Sequence, residues 1–236
     1  MIINVSHQRG GTGKSTIAFN LAIALKLKGY TVTLVDTDIQ NTVTSINTRL
    51  RKKPLNYIIK VNDDTQLVEC INNAKEEDIM IIDSGGFDSS LTRISIMGAD
   101  INLTPLADQV TELLAAADKY SVILSEIEAE IGEKISTYIV LNKVHLFATK
   151  FEHIIELIDD EPSFNLLTRK IGDNENFIEI PILIRQRAIY NKSLIEGYGV
   201  CEPQSSDLVG HAEAKHEINT LADGLIELYK NLNTKE

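Results

Sequence analysis

The stretch His7-Gln8-Arg9-Gly10-Gly11-Thr12-Gly13-Lys14-Ser15-Thr16 constrains this chain more than any other. It follows the apolar opening Met1-Ile2-Ile3-Asn4-Val5 and precedes an amphipathic run, so it reads as strand, loop and helix. Three glycines in four residues leave backbone N–H groups free to wrap an anion, and the helix that follows aims the positive end of its dipole at the same place. With Gly13-Lys14-Ser15 closing the loop, that anion is a nucleotide phosphate. Lys14 would reach the β- and γ-phosphates and the Ser15 hydroxyl would ligate Mg²⁺.

Spacing narrows the reading. The common phosphate loop carries a glycine five residues before its last one, where this chain has Gln8. The pattern that fits is x-K-G-G-x-G-K-S/T, with Arg9 in place of its first lysine. Here the chain resembles the ParA/MinD family of dimeric, deviant phosphate-loop ATPases, and within it the small partition branch. The resemblance implies ATP held by Arg9, Gly10, Gly11, Thr12, Gly13, Lys14, Ser15 and Thr16. Arginine keeps the charge and reach of the family's signature lysine, and its fork can bind phosphate oxygens bidentately.

Two further motifs follow in family order. Thr31-Val32-Thr33-Leu34-Val35 reads as a buried strand that delivers Asp36-Thr37-Asp38-Ile39-Gln40 at its carboxyl end, where open α/β sheets place their sites. The family has D-x-D-P-Q there, which implies that Asp38 helps activate the water attacking the γ-phosphate and that Asp36 lies in the outer shell of the metal. Ile39 stands where the family has proline. Asp78-Ile79-Met80-Ile81-Ile82-Asp83-Ser84-Gly85-Gly86 is an apolar strand ending in aspartate and a glycine pair, so Asp83 would hold Mg²⁺ through water while the glycines approach the γ-phosphate.

Composition excludes several classes. A length of 236 residues with 43% hydrophobic content suggests one domain over 1–236. Cys70 and Cys201 give neither a disulfide framework nor a metal spacing, which fits a reducing cytoplasm. The opening is too short and uncharged for a leader, and the apolar runs are too short to span a membrane. A net charge of −11 argues against a generally basic nucleic-acid binder, so DNA contact must come from a local patch.

Such patches can be named. From Ile39 to Asn62 there is no acidic residue, while Arg49, Arg51, Lys52, Lys53 and Lys60 fall there. Arg51 and Lys52 form one candidate DNA patch, and Arg185, Arg187 and Lys192 a second. Little aromatic interleaving supports base stacking, so the contact would be sequence-independent. Ile135 to Leu141 reads as a strand ending in Asn142-Lys143-Val144-His145. A GTPase has aspartate at the last of these four positions, and His145 removes that acceptor for guanine; Asn142 matches the family's adenine contact.

The remaining apolar periodicity gives helices at Ile17–Leu25, at Leu67–Ala74 with Cys70 on the core face, from Asp108 with Val110, Leu113, Leu114, Ala117, Leu124, Ile127 and Ile131 on one stripe, at Phe151–Ile158, and from Asp207 to Leu232. Ile101–Pro105 and Phe177–Ile182 read as further strands. The expected fold is α/β: a mostly parallel twisted sheet of about seven strands with helices on both faces. The expected function is an ATP- and Mg²⁺-dependent ATPase, a homodimer when ATP-bound, that segregates DNA or positions another cargo. A ParB-like partner would stimulate it, and it would be cytoplasmic and associated with the nucleoid through non-specific DNA contact, with no membrane contact. The rivals are a MinD-like membrane-cycling ATPase, which would end in a basic amphipathic helix, and a biosynthetic phosphotransferase or ligase of related fold.

Overall fold

The apolar runs Ile79–Asp83 and Ile101–Leu106 are buried on both faces, as central strands of a parallel sheet are. The computed structural model describes residues 1–107, 109–173 and 176–234. The strands are β1 (Ile2–Val5), β2 (Val32–Asp36), β3 (Ile58–Lys60), β4 (Ile79–Asp83), β5 (Ile101–Leu106), β6 (Thr137–Val144), β7 (Phe164–Leu166), β8 (Thr168–Asp173), β9 (Asn176–Pro181) and β10 (Leu183–Arg185). The helices are α1 (Lys14–Leu27), α2 (Thr42–Ser45) running into a π-helical turn at Ile46–Leu50, α3 (Asp64–Asn72), α4 (Ser90–Met97), α5 (Val110–Ile131), α6 (Glu152–Asp159), α7 (Ala188–Ile195) and α8 (His211–Asn233).

The main sheet runs β10-β6-β5-β1-β4-β2-β3, with β7 also on β6, and every pairing in it is parallel. Side chains alternate between its faces. Ile3, Val5, Leu34, Ile81 and Val140 pack with α1 and α8 on one side. On the other side Ile139 and Leu141 meet α5 and α6, and Val35 and Ile82 meet α3. Gly29 ends α1 at φ 95, donating to the Lys26 carbonyl while the Tyr30 N–H reaches Leu25, so the expected glycine stop is present.

The main sheet, eight strands against about seven expected, keeps the expected parallel arrangement with helices on both faces, and its edge strand β3 sits inside the basic run. Several other expectations need correction. The run Phe177–Ile182 is the expected strand, β9, but it lies outside the main sheet: β8 and β9 pair antiparallel in a separate two-stranded sheet between β7 and β10, whose base is closed by the Ile182 N–H donating to the Leu167 carbonyl. The last helix starts at His211 after Gly210 at φ 84, not at Asp207. Asp108, the expected helix start, lies outside the described residues. Val110, Leu114 and Ile131 of the α5 stripe are exposed, and Cys70 is only partly buried. None of the described helices is long and apolar enough to cross a membrane.

Arg51 is a larger correction. Its side chain is only 7% exposed and forms a bidentate pair with Glu202, at 2.7 and 2.8 Å, plus a 2.8 Å bond to the Gly197 carbonyl. Glu202 also accepts from the Gly199 N–H, and Arg51 lies 5.7 Å over the Tyr198 ring. The guanidinium therefore clasps the segment after α7 onto the β2–β3 crossover and has no face left for DNA. Gly197, at φ 77, is needed because a Cβ there would meet the Leu50 carbonyl carbon at 2.7 Å. Arg51→Ala leaves the half-buried Glu202 without its charged partner, so urea unfolding should show a loss of about 2 kcal/mol; a loss below about 0.5 kcal/mol, the range of an ordinary surface substitution, would return Arg51 to the surface class.

Candidate functional site

The strand order β1-β4-β2 brings three loops together. In register, Asp83 lies beside Val5 on one side and Asp36 on the other, so the loops after these strands open at one edge of the sheet. Between them is a cavity of about 460 Å³ bordered by Gly11, Lys14, Ser15, Asp38, Gly86 and Lys143. Lys14 and Ser15 of the phosphate loop thus share one space with Asp38 of the second motif.

The phosphate loop is held from beneath. Gly11 and Gly13 sit at φ 80 and 98, which a side chain would strain. Gly13 is the N-cap of α1, offers no side-chain cap and is followed by no acidic residue in the first turn, so those N–H groups stay available to an anion. The buried Lys14 donates to the Arg9 carbonyl at 3.0 Å; burial lowers its pKa, against the opposing pull of Asp83 and Asp38. His7 accepts the Arg9 N–H on Nδ1 at 2.9 Å, and burial with Lys14 and Arg9 nearby holds its pKa down to about 3, so it is neutral. Gly86 presses on the loop: a Cβ there would lie 3.0 Å from the Gly10 nitrogen. The Arg9 side chain is exposed and makes no hydrogen bond or ion pair among the described residues.

The three carboxylates are in different states. Asp83 is fully buried, and neither of its oxygens has a hydrogen-bond partner among the described residues. Burial pushes its pKa up to about 8, with the nearby Ser15 hydroxyl and Lys14 pulling the other way. An orphaned buried carboxylate beside a serine is a donor pair that fits a hard cation. No group of three or more His, Cys, Asp or Glu among the described residues forms a ready cage, which suits Mg²⁺, an ion that keeps waters and takes phosphate oxygens. Asp36 accepts from the Asp38 N–H at 3.1 Å and from the Thr44 N–H and hydroxyl at 2.9 and 2.6 Å. Its carboxylate fastens its own loop to the start of α2. Asp38 accepts the Gln40 N–H on Oδ1 at 3.0 Å, and no described residue is bonded to Oδ2.

A second cavity of about 320 Å³ adjoins the loop at Gly13 and Thr16, with Asn142, Arg185, Arg187 and Tyr190 on its walls. Asn142 donates to the Thr12 carbonyl at 2.7 Å and packs against Gly13. Arg185 donates to the carbonyls of His145, Leu146 and Ala148, and Arg187 pairs with Glu217, which also accepts from the Tyr190 hydroxyl. These two arginines therefore border a pocket with their heads engaged and do not form an outward DNA patch. Of the expected DNA residues, Lys52 and Lys192 are exposed. Sequence reasoning missed Lys143 as a loop contact. At φ 55 it is the bulged residue of β6 opposite the β10 register shift, and its ammonium reaches the Gly11 carbonyl. Lys60, treated only as part of a basic run, reaches the Asp38 carbonyl at 2.7 Å.

A family description, the CobQ/CobB/MinD/ParA nucleotide binding domain, matches residues 3–183. Protein ParA of Rhizobium radiobacter is 30% identical over 147 residues, which are 61% of this chain and 64% of that relative, so the chain spans just under two thirds of it. Maintenance of carboxysome distribution protein A of Halothiobacillus neapolitanus is 24% identical over 202 residues, 83% of this chain and 84% of its own. The ATP complex of a Cyanothece McdA variant has the same fold, with a TM-score of 0.66 over 95% of each chain at 15% identity.

The state of Asp83 gives a signed prediction. Its folded pKa of about 8 exceeds the unfolded value of 3.8, so the folded ligand-free protein binds the proton more strongly. Stability contributed by that proton is present below pH 4 and is lost as pH rises through about 8. Asp83→Asn, which cannot ionise, should match wild-type melting at about pH 4 and exceed it by a margin that grows up to about pH 9. Equal melting curves at both pH values would mean the carboxylate is not buried as described.

Proposed function

The chain belongs to the CobQ/CobB/MinD/ParA nucleotide-binding family, and from that membership we propose an ATPase that dimerises on ATP and segregates DNA or positions another cargo. One observation carries this reading: Lys14, Ser15, Asp38 and the second glycine after Asp83 border one cavity at the open edge of the sheet. The names of its relatives, ParA and a carboxysome-distribution protein, support cargo positioning over small-molecule synthesis.

In this reading the loop N–H groups from Gly10 to Thr16 bind the β- and γ-phosphates, and Lys14 turns from the Arg9 carbonyl to the phosphate oxygens. Ser15 and Asp83 would hold Mg²⁺, which supplies charge neutralisation at those oxygens. Asp38 orients the attacking water and receives its proton as the bond from the γ-phosphorus to the ADP oxygen breaks. Asn142, at the floor of the adjoining pocket, contacts adenine. Arg9 reaches the phosphates of the partner subunit, since Lys14 already serves its own. A ParB-like partner stimulates turnover, and the ATP dimer meets DNA phosphates through exposed cations that include Lys52 and Lys192.

Arg9 gives the test. An arginine supplied in trans is worth about 10³ to 10⁵ in rate. Arg9→Ala should bind ATP as a monomer yet lose both the ATP dimer and hydrolysis, whereas Arg9→Lys keeps most of both. Sedimentation in ATP and in ADP, together with phosphate release, reads the outcome; full dimerisation and turnover in Arg9→Ala would remove the arginine from the site.

A further inference from the structure

The segment after β2 carries the carboxylate assigned above to water activation, and it is a tight turn. Asp38, Ile39, Gln40 and Asn41 form a β-turn closed by the Asn41 N–H donating to the Asp38 carbonyl at 2.9 Å. Ile39 is the second residue of that turn, the position where proline presets the backbone. Here it is a 74% exposed isoleucine whose own N–H makes no hydrogen bond among the described residues. Side-chain packing therefore does not fix the turn, and neither does a ring.

A lysine from another strand does. Lys60 ends β3, in register beside Asp36, where the Val61 N–H donates to the Asp36 carbonyl at 3.0 Å. From there its ammonium reaches the same Asp38 carbonyl at 2.7 Å and stands 3.9 Å from the Asp36 carboxylate. The carbonyl that closes the turn is thus held twice, once from within and once by a charged donor on a sheet strand. The Asp38 N–H is fixed by Asp36. Both ends of the Asp38 residue are pinned to the sheet edge while its carboxylate faces the nucleotide cavity.

We propose that Lys60 is a positioning residue for Asp38, stapling the Asp38–Asn41 turn through the Asp38 carbonyl and supplying the rigidity that a proline at position 39 would otherwise provide. This rests on the assignment of Asp38 to hydrolysis. Lys60 does not border the phosphate cavity, so its removal should change turnover and leave nucleotide affinity alone. Losing a hydrogen bond from a charged donor would slow hydrolysis about tenfold or more.

The experiment is single-turnover Mg²⁺-ATP hydrolysis by the full chain, with ATP affinity and melting temperature measured on each variant. Lys60→Met should lose about tenfold or more in rate with unchanged ATP affinity. Lys60→Arg should retain most of the rate. Adding Ile39→Pro to Lys60→Met should restore it, because the ring fixes the turn without the ammonium. A wild-type rate in Lys60→Met overturns the proposal, and so does a loss that Ile39→Pro fails to recover, since Lys60 would then act through the Asp36 charge alone. If Lys60→Met melts too early to assay, the double variant decides by the same rates. Asp38→Ala, run in parallel, separates the two readings. Wild-type hydrolysis there would sink the role of Asp38 itself, whereas a dead Asp38→Ala beside an active Lys60→Met would sink only the staple.

Discussion

A carboxylate with no partner lies at the centre of this structure. Asp83 ends a strand flanked on both sides, has no exposure, and has neither oxygen hydrogen-bonded among the described residues. Its polar neighbours in the sheet are satisfied: Asn4 donates to Asn102 and accepts from Ser84. The chain therefore solves the burial of amides and hydroxyls in the same layer and leaves this acid unsolved. Such a group is costly unless neutralised, and burial pushes its pKa up to about 8, which favours the protonated acid at neutral pH. Bound Mg²⁺ would supply the counter-charge instead, which couples the stability of the sheet edge to occupancy of the site.

The cations divide along the same line. Arg51, Arg185 and Arg187 look alike in sequence as basic side chains of an acidic chain, yet each is consumed by carbonyls or a carboxylate that hold one segment to another. Arg9 is exposed, and Lys14 and Lys143 sit on carbonyls of the glycine loop itself. Phosphate would compete with those carbonyls for the two ammonium groups.

The phosphate loop and the strand that ends at Asp83 were legible in the sequence because each is a local pattern: glycines that permit positive φ, a lysine–serine pair at a helix start, and an apolar run closed by aspartate. What was not legible depends on partners far along the chain. Arg51 read as surface charge because Glu202 lies 151 residues away. The run Phe177–Ile182 has the composition of a main-sheet strand, and only its antiparallel pairing with β8 takes it out of that sheet. Nearer by, no motif marked Thr44, eight residues on from Asp36, as the group that occupies its Oδ2. Lys60 carried no motif because it acts on a main-chain carbonyl, which any sequence offers.

The central claim, that the three strand-end loops make one Mg²⁺-ATP site, is tested most directly by equilibrium dialysis of labelled ATP against the full chain. The account predicts one ATP bound per chain, displaced by ADP, weakened on removal of Mg²⁺ and lost in Lys14→Ala. Binding that does not saturate, or that survives Lys14→Ala undiminished, would contradict it.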